Sequence, residues 1–335
     1  MLLSFRSSFD VITLGAAVQD TFLRSASLEE VKNAAAPDGF NVCIPFGAKL
    51  DVQDYHVLSG GGATNAAVTF ARSGLKTACI CRVGQDRIGS SIVDELKKEG
   101  ISTRFVQHDS KHNTGASVVL LSGSGHRAIL THRGAAAHLA ESSIPWSRIK
   151  ARWLYITSVG GDLDLIKHTV AHAKKHHIRV AWNPGKLELE EGLRKLMPLL
   201  KQIDVLLVNR EEAALVTDLP PRHLGQIFKK LSRYPAFATA ITDGQKGAYV
   251  QYESKIFFAP SLSGERVNTT GAGDAFGSGF VNGLAHNLPV DESLQAAVLN
   301  ATSVVFHMGP KTGILKRFPH AKDRAHVPIS RPKLS

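Results

Sequence analysis

Residues 268–276 read Asn-Thr-Thr-Gly-Ala-Gly-Asp-Ala-Phe, and a run of small and apolar residues, 275–285, continues from them. Glycine at positions 271 and 273 lets the backbone turn tightly and direct several N–H groups at one point. The run that follows predicts a buried helix, whose N-terminus carries partial positive charge. This stretch therefore predicts an anion-binding turn with the carboxylate of Asp274 beside it. A helix-capping carboxylate in a glycine-rich turn is the alternative that the stretch alone leaves open.

Short apolar runs recur upstream, and each is followed by residues with helical periodicity. The predicted strands are 11–14, 77–83, 153–157, 180–182, 205–208 and 238–242. The predicted helices are 63–73, 90–99, 164–176, 190–201, 211–217 and 224–232. Such alternation is typical of parallel βαβ units in a sheet covered by helices on both faces. Ligands of these sheets bind beyond the carboxyl ends of the strands, so the loops that leave the strands are where we expect the chemistry.

One region interrupts the alternation. Residues 117–121 and 126–132 flank a Ser-Gly-Ser-Gly turn, which predicts a β-hairpin. Residues 19–23 and 50–56 are candidates for further strands of the same small sheet. The stretch between them, 24–48, has little periodicity.

The formal charge is +11, from 40 Lys and Arg against 29 Asp and Glu. A nucleic-acid site would gather this charge on one face, often with aromatic residues interleaved. Here the positive residues are spread along the chain and only 7% of residues are aromatic. The pattern favours solvated helix faces and attraction for a phosphorylated cofactor, and it disfavours a nucleic-acid partner.

The three cysteines, at 43, 79 and 81, are too few for a disulfide framework, which favours a reducing compartment. No apolar run approaches the roughly 20 residues that span a bilayer. Asp10 interrupts the segment that would form the apolar part of a secretory signal. We therefore expect a cytoplasmic protein that has no membrane partner.

A second glycine-rich stretch, residues 59–67, reads Ser-Gly-Gly-Gly-Ala-Thr-Asn-Ala-Ala. It predicts the start of a helix, with Asn65 in the first turn and its side chain free to face a ligand. A helix start with flexible glycines and no ligand is the alternative.

Residues 268–276 resemble the second signature of the PfkB/ribokinase family of carbohydrate kinases at nearly every position, and 59–67 resemble the first. The resemblance extends over about 10–313. It implies a three-layer α/β/α sandwich with a small β-sheet lid, and transfer of a phosphoryl group from ATP to a hydroxymethyl group of a sugar-like substrate. It makes Asp274 the general base and Gly271, Ala272 and Gly273 the anion hole.

The same resemblance assigns the binding residues. Acceptor hydroxyls would contact Asp20, Gly60, Gly61 and Asn65. ATP would contact Asn209, Thr242, Gly244, Gly247 and Asn300, and Glu212 would act on Mg²⁺ through water. The Asn-x-x-Glu spacing of 209–212 is also what a helix cap requires, so that alternative stays open.

The resemblance also implies the domain organisation. One kinase domain would cover residues 1–316, with a lid formed by about 19–57 and 114–133. In this family the lid closes over the sugar and often joins two subunits, so we expect a homodimer through it. The basic tail, 317–335, is expected to be loosely ordered.

The chain departs from the family pattern at two positions. Asn268 stands where an Asp is usual, and many relatives bind K⁺ beside that carboxylate. Val18 stands where the ribose site has an Asn, so ribose is not the obvious substrate. Arg133, at the end of a lid strand, could face a carboxylate or phosphate on the acceptor. An exposed hairpin arginine is the alternative.

Two other functions are open. A nucleoside kinase would use the same fold, because the lid and pocket shape decide the acceptor. A basic nucleic-acid-binding protein could keep the fold without turnover, but it has no need of a base such as Asp274. A dinucleotide-binding oxidoreductase is disfavoured because no Gly-x-Gly-x-x-Gly follows the first strand.

Overall fold

The computed structural model describes residues 8–36, 39–124 and 126–334. Gly125 of the predicted hairpin turn and residues 37 and 38 of the 24–48 stretch lie outside these residues. The strands are β1 (Phe9–Leu14), β2 (Val18–Ser25), β3 (Glu29–Lys32), β4 (Phe40–Cys43), β5 (Asp54–Gly60), β6 (Thr77–Ile80), β7 (Arg82–Gly84), β8 (Gln107–Asp109), β9 (Gly115–Ser122), β10 (Arg127–His132), β11 (Ala151–Ile156), β12 (Arg179–Trp182), β13 (Val205–Asn209), β14 (Ala238–Thr242), β15 (Ala248–Tyr252) and β16 (Lys255–Ala259). The helices are α1 (Gly62–Arg72), α2 (Arg87–Lys98), α3 (Leu163–Lys175), α4 (Lys186–Leu189), α5 (Gly192–Leu200), α6 (Arg210–Thr217), α7 (Leu224–Leu231), α8 (Ala272–Ala285), α9 (Val290–Val305) and α10 (Ala321–Arg324).

An eight-stranded sheet forms the centre, in the order β16-β15-β14-β13-β12-β11-β1-β6. The six strands from β14 to β6 are parallel, and β15 and β16 close one edge as an antiparallel pair. Side chains of α3, α5, α6 and α7 pack on one face, and those of α1, α8 and α9 pack on the other. The predicted three-layer α/β/α fold is confirmed.

The predicted strands and helices are present, with two interruptions. The strand predicted at 77–83 divides: β6 stays in the central sheet, whereas β7 leaves it and pairs with β8, Arg82 opposite Gln107. The helix predicted at 190–201 is preceded by α4, and α5 begins at Gly192, whose positive φ of 76° breaks the helical path.

A second sheet, in the order β10-β9-β2-β5, covers the carboxyl-end side of the site and corresponds to the predicted lid strands. Asp20 of β2 lies opposite Leu58 of β5 and Ser117 of β9. These three side chains share one face, since cross-strand neighbours point the same way. The stretch 24–48, in which no element was predicted, contains the antiparallel pair β3 and β4.

The tail differs from its expectation. Val327 is fully buried, and its carbonyl accepts a hydrogen bond of 2.8 Å from Gln295 Nε2 of α9. Ser330 and Phe258 of β16 exchange two backbone hydrogen bonds of 2.9 Å. The apolar residues of the tail therefore pack against the core, which composition alone did not indicate. No helix among the described residues combines the length and apolarity that a membrane span needs.

Candidate active site

The glycine-rich turn before α8 has the tight backbone geometry that its sequence predicts. Gly271 is the residue before α8 and has a φ of 80°, in the left-handed region. A Cβ atom added there would lie 2.5 Å from Cβ of Pro310, so only glycine fits. The first N–H groups of a helix have no partner within the helix. Here that of Ala272 donates to the Thr269 carbonyl at 3.3 Å, and that of Gly273 follows it. Open space faces Gly273, since an added Cβ would meet no atom within 4 Å.

Asp274 lies in the first turn of α8 and is half-buried. Its Oδ2 accepts a hydrogen bond of 2.8 Å from Asn65 Nδ2 in the first turn of α1. Burial raises the pKa of Asp274 above its usual range, and the charge of Asp20 raises it further. The Asn65 hydrogen bond and the Lys311 ammonium act in the opposite direction on this pKa. A carboxylate with a raised pKa in this position is suited to accept a proton.

The side-chain oxygen of Asn65 also points to a ligand. Oδ1 of this buried side chain has no hydrogen-bond partner among the residues that the structure describes. A buried amide oxygen without a donor is costly, and a hydroxyl of a bound molecule would satisfy it. The two glycine-rich stretches, far apart in sequence, thus meet at Asn65 and Asp274.

Asp20 and the glycines 60 and 61 form the wall beside this pair. Asp20 is buried and accepts a hydrogen bond from Ser117 Oγ. A Cβ atom added at Gly60 would collide with the Asp20 carboxylate, and one at Gly61 would lie 2.5 Å from the carbonyl oxygen of Ala16. Burial raises the pKa of Asp20, while Ser117 and Lys311 counteract it. Four of the predicted acceptor residues, Asp20, Gly60, Gly61 and Asn65, therefore lie close together.

Lys311 is a component that the sequence analysis missed. It follows α9 and is only 6% exposed. Its Nζ donates a hydrogen bond of 2.7 Å to Ser59 Oγ and lies 3.5 Å from Glu95 Oε1 of α2. The available signal was a lysine inside Gly-Pro-Lys-Thr-Gly, 309–313, directly after an apolar helix.

A cavity of about 230 Å³ opens on the other side of the anion hole. Thr242, Gly244 and Gly247, which were predicted to bind ATP, line it together with Ala272 and Gly273. The rest of its wall is mainly apolar and comes from α8, α9 and the loop after β16, including Leu262, Phe276, Val298, Ala301 and Val305. A mainly apolar cavity with a few polar groups is typical of a small-molecule site.

Asn300 does not line that cavity, and its contact with ATP stays a prediction. Its Nδ2 donates to Thr69 Oγ1 at 3.2 Å and to the Ala275 carbonyl at 2.9 Å, and its Oδ1 accepts from Leu315 N at 3.1 Å. The side chain therefore joins α9 to α1 and α8. Helical spacing places residues 298, 301, 302 and 305 of α9 on the cavity side instead.

Asn209 and Glu212 form a reciprocal cap at the start of α6. Asn209 Oδ1 accepts from Glu212 N at 2.8 Å, and Glu212 Oε2 accepts from Asn209 N at 2.8 Å. Burial raises the pKa of Glu212, and the charges of Glu211 and Asp274 raise it further. The helix cap that was left open as an alternative is therefore observed. The cap uses Oε2 of Glu212, so Oε1 is available to a metal-bound water. A hard oxygen near the anion hole fits Mg²⁺, which keeps several waters when bound.

The two lid arginines differ. Arg133, the predicted acceptor contact, is exposed, and its side chain has no hydrogen-bond or ion-pair partner within the described ranges. Arg127 of β10 instead donates a hydrogen bond to Thr269 Oγ1, and Thr269 lines the cavity beside Gly273. Sequence carried no signal for this contact, because it joins the lid to a loop 142 residues away.

Comparison with known proteins agrees with this fold. The family model described as pfkB family carbohydrate kinase matches residues 32–317. The ribokinase of Haemophilus influenzae is 28% identical over 276 residues, which are 81% of this chain and 89% of that protein. The structure of Arabidopsis thaliana ribokinase complexed with ribose and ATP superimposes with a TM-score of 0.74 at 20% identity, over 95% of this chain and 98% of that one. The Burkholderia thailandensis nucleoside kinase in complex with inosine gives 0.73 at 18% identity, over 94% and 96%.

Proposed function

This chain belongs to the pfkB family of carbohydrate kinases, and from that premise we propose that it phosphorylates a hydroxymethyl group of a sugar or sugar-like molecule, with Asp274 as general base. One observation carries the proposal: Asp274 is hydrogen-bonded to Asn65 at the junction of an anion-binding turn and a wall of acceptor-type residues. That junction is where the hydroxyl and the transferred phosphoryl group must meet.

The residues divide the work as follows. Asp20 and the free Oδ1 of Asn65 hold acceptor hydroxyls. One Oδ of Asp274 takes the proton of the attacking hydroxyl as its oxygen bonds to phosphorus. The N–H groups around Gly271 and Gly273 hold the equatorial oxygens of the phosphoryl group, on which charge is spread. Closure of the lid sheet excludes water, which would otherwise compete as acceptor.

ATP and Mg²⁺ are the co-substrate and cofactor of this proposal. Thr242, Gly244 and Gly247 contact the nucleotide in the cavity behind the anion hole. Glu212 acts through a metal-bound water, which its Oε1 contacts because the helix cap uses only Oε2. When bound, Mg²⁺ neutralises charge on the phosphate oxygens.

A nucleoside is the second candidate acceptor. Val18 begins β2 beside Gly115, where a Cβ added to the glycine would lie 3.0 Å from Val18 Cγ1. A valine offers no hydrogen bond at this position of the acceptor wall, where the ribose site has an asparagine. This favours an acceptor that makes one polar contact fewer than ribose would, or that has an apolar group there. The base of a nucleoside would satisfy that requirement.

The outer face of the lid supports the proposed homodimer. On the face opposite to Asp20, Tyr55 of β5 is 66% exposed and Leu130 of β10 is 62% exposed, and Val57 of β5 is also exposed. Exposed apolar side chains on a sheet are typical of a protein–protein contact.

We place the protein in the cytoplasm, where thiols such as those of Cys79 and Cys81, buried and free, stay reduced.

The test is a screen for acceptor-dependent release of ADP. The panel contains ribose, fructose, keto-sugar acids, sugar phosphates and nucleosides, each with MgATP, and the position of phosphorylation is read by phosphorus NMR. We expect release with one sugar-like class, on a primary hydroxyl. Preference for nucleosides selects the second candidate. If no acceptor of the panel causes release of ADP, and the protein shows salt-sensitive binding to DNA or RNA, both candidates are overturned in favour of a binding protein.

A further inference from the structure

Another cavity, of about 290 Å³, lies between α2 and the lid strands β2 and β5. Gln19 and Ser59, which are opposite each other on the two strands, both line it. Gln19 directly precedes Asp20, and successive side chains of a strand point to opposite faces. The cavity is therefore on the other face of the lid strands from the Asp20 carboxylate and the acceptor that it would hold. Its volume is close to the lower end for small-molecule sites.

The wall of this cavity includes Lys311, a buried cation that the proposed reaction leaves without a role. An ammonium group carries three N–H donors, and a buried donor without an acceptor is costly. Among the described residues, Lys311 Nζ makes one hydrogen bond, of 2.7 Å to Ser59 Oγ, and one ion pair, of 3.5 Å to Glu95 Oε1. At least one N–H donor is therefore available to a molecule in the cavity.

The carboxylate of Glu95 offers the complementary group. Its Oε2 accepts a hydrogen bond from the Ser59 hydroxyl, whereas its Oε1 has only the long contact with the ammonium. Glu95 lines the cavity, so this oxygen is an acceptor for a ligand hydroxyl. The cavity thus presents an unused donor and an unused acceptor side by side.

The charges of the wall favour a neutral ligand. Glu95 already occupies the place beside the Lys311 ammonium that an anion would take. The other cation of the wall, Arg72, is engaged by Glu99 and by the carbonyls of residues 311 and 314. Each cation is paired with one carboxylate, so a charged ligand would leave one charge uncompensated in a partly buried site. A hydroxyl avoids this cost, because it can accept from the ammonium and donate to the carboxylate.

The rest of the wall suits a molecule with several hydroxyls. Gln19, Ser91 and Thr312 add amide and hydroxyl groups, which both donate and accept hydrogen bonds. Ile88 and Ile92 of α2 add an apolar surface on which the C–H face of a sugar ring or polyol can pack.

We propose that this cavity is a second binding site, which takes a neutral polyhydroxylated molecule, a sugar or a polyol, with its hydroxyls bridging Lys311 and Glu95. The site is separate from the acceptor wall, because the lid strands lie between it and Asp20. A molecule held there is bound and not phosphorylated. The inference goes beyond the proposed function and does not depend on turnover.

The test measures binding of glucose, sorbitol and inositol by saturation-transfer NMR. Asp20→Asn is the background, because it impairs the acceptor wall on the opposite face of the lid. In this background Ser91→Trp fills the cavity with an indole ring, and Ser90→Trp adds the same ring at the adjacent exposed position, which does not line the cavity. We expect at least one probe to bind Asp20→Asn, to bind equally with Ser90→Trp, and to lose affinity about tenfold or more with Ser91→Trp.

Glu95→Gln, in the same background, tests whether the ligand is neutral. Without the carboxylate, Lys311 is an unpaired cation, so inorganic sulfate should now displace the probe, and affinity for the probe should fall about tenfold. Sulfate should not displace it from Asp20→Asn alone. The inference is overturned if no probe binds Asp20→Asn, if Ser91→Trp and Ser90→Trp bind equally, or if sulfate competes in Asp20→Asn itself. The proposed function is judged separately, by release of ADP from the parent protein.

Discussion

The two halves of the site meet at Asp274 and are built from different materials. The acceptor half consists of buried polar side chains, among them Asp20 and Asn65, and Asn65 donates a hydrogen bond to the base. The nucleotide half consists of glycines, backbone N–H groups and apolar walls, and Arg266 is the one charged side chain among the described residues that line it. Proton transfer requires titratable groups, whereas phosphate and base can be held by dipoles and shape.

The difference between the two halves has a functional consequence. Buried carboxylates make the acceptor half sensitive to pH and to single charges, because their ionisation is opposed by burial. Backbone N–H groups do not titrate, so the nucleotide half responds mainly to changes of volume. Substitutions in the first half should alter the chemical step, and those in the second should alter ATP binding.

The largest expected effect is that of Asp274→Asn, which removes the proton acceptor from the acceptor half. Loss of a general base typically lowers the rate by about 10²–10⁴-fold, and we expect kcat to fall by that factor with little change in KM for ATP. Steady-state kinetics with the acceptor found in the screen measure both. Asp218→Asn, at an exposed position that follows α6, is the matched control. A kcat equal to the parent's would remove Asp274 from the mechanism.

In the nucleotide half, Ala301→Leu adds volume to the cavity wall on α9. Overpacking a fitted site costs roughly 1–3 kcal/mol, so KM for ATP should rise about tenfold or more while kcat at saturating ATP is retained. KM for the acceptor serves as the internal control. An equal rise in both KM values would show that the two halves are not independent.

These two predictions depend on features that the sequence revealed unequally. The turn at residues 268–276 was predictable because a tight turn needs glycine at 271. Its backbone geometry depends only on residues that are neighbours in the sequence. Lys311 was missed because a buried lysine is made tolerable only by Ser59 and Glu95, which are distant in sequence. The contact of Asn300 with ATP stays a prediction, because helical phase decides which residue of α9 reaches the cavity, and a one-residue shift turns a side chain by about 100°.

The central sheet shows the same limit. Its parallel strands were predicted from apolar runs alternating with helical periodicity. The hairpin of β15 and β16 was missed, because its turn uses Glu253 at a φ of 52° where a glycine or asparagine would have marked it. The hydrogen bonds that hold the tail on β16 are likewise long-range and leave no local pattern.

The two lid arginines allow a finer comparison between the halves. Arg127→Ala removes the contact with Thr269 at the nucleotide cavity and should raise KM for ATP by about fivefold, the equivalent of roughly 1 kcal/mol for one hydrogen bond. Arg133→Ala should raise KM for the acceptor by a similar factor and leave KM for ATP alone, if Arg133 faces an anionic acceptor. An unchanged KM for the acceptor in Arg133→Ala would assign this side chain to the surface.

The smallest effect concerns monovalent cations at the boundary of the halves. Asn268 is buried, its Oδ1 accepts a hydrogen bond of 2.6 Å from Thr270 N, and its Nδ2 faces Met308 Sδ at 3.7 Å. A neutral amide whose oxygen is already engaged attracts a cation less than a carboxylate would. We expect replacement of K⁺ by a bulky organic cation, at constant ionic strength, to change kcat by less than about twofold.

Asn268→Asp is the converse test, since a carboxylate at this position should create or strengthen activation by K⁺. Strong K⁺ activation of the parent protein would contradict the prediction. It would indicate that carbonyl oxygens near the anion hole suffice to hold the ion.

The backbone hydrogen bonds between Ser330 and Phe258 have a consequence for how the molecule behaves at high concentration. β16 is an edge strand, and an uncovered edge is a template on which another chain can add by β-pairing. The segment around Ser330 occupies part of that edge, and Arg331 stacks its guanidinium over the Phe257 ring, 5.1 Å from the centroid. Truncation before residue 327 would bare this strand and the apolar surface under Val327, and aggregation rather than a loss of catalytic power is the defect to expect.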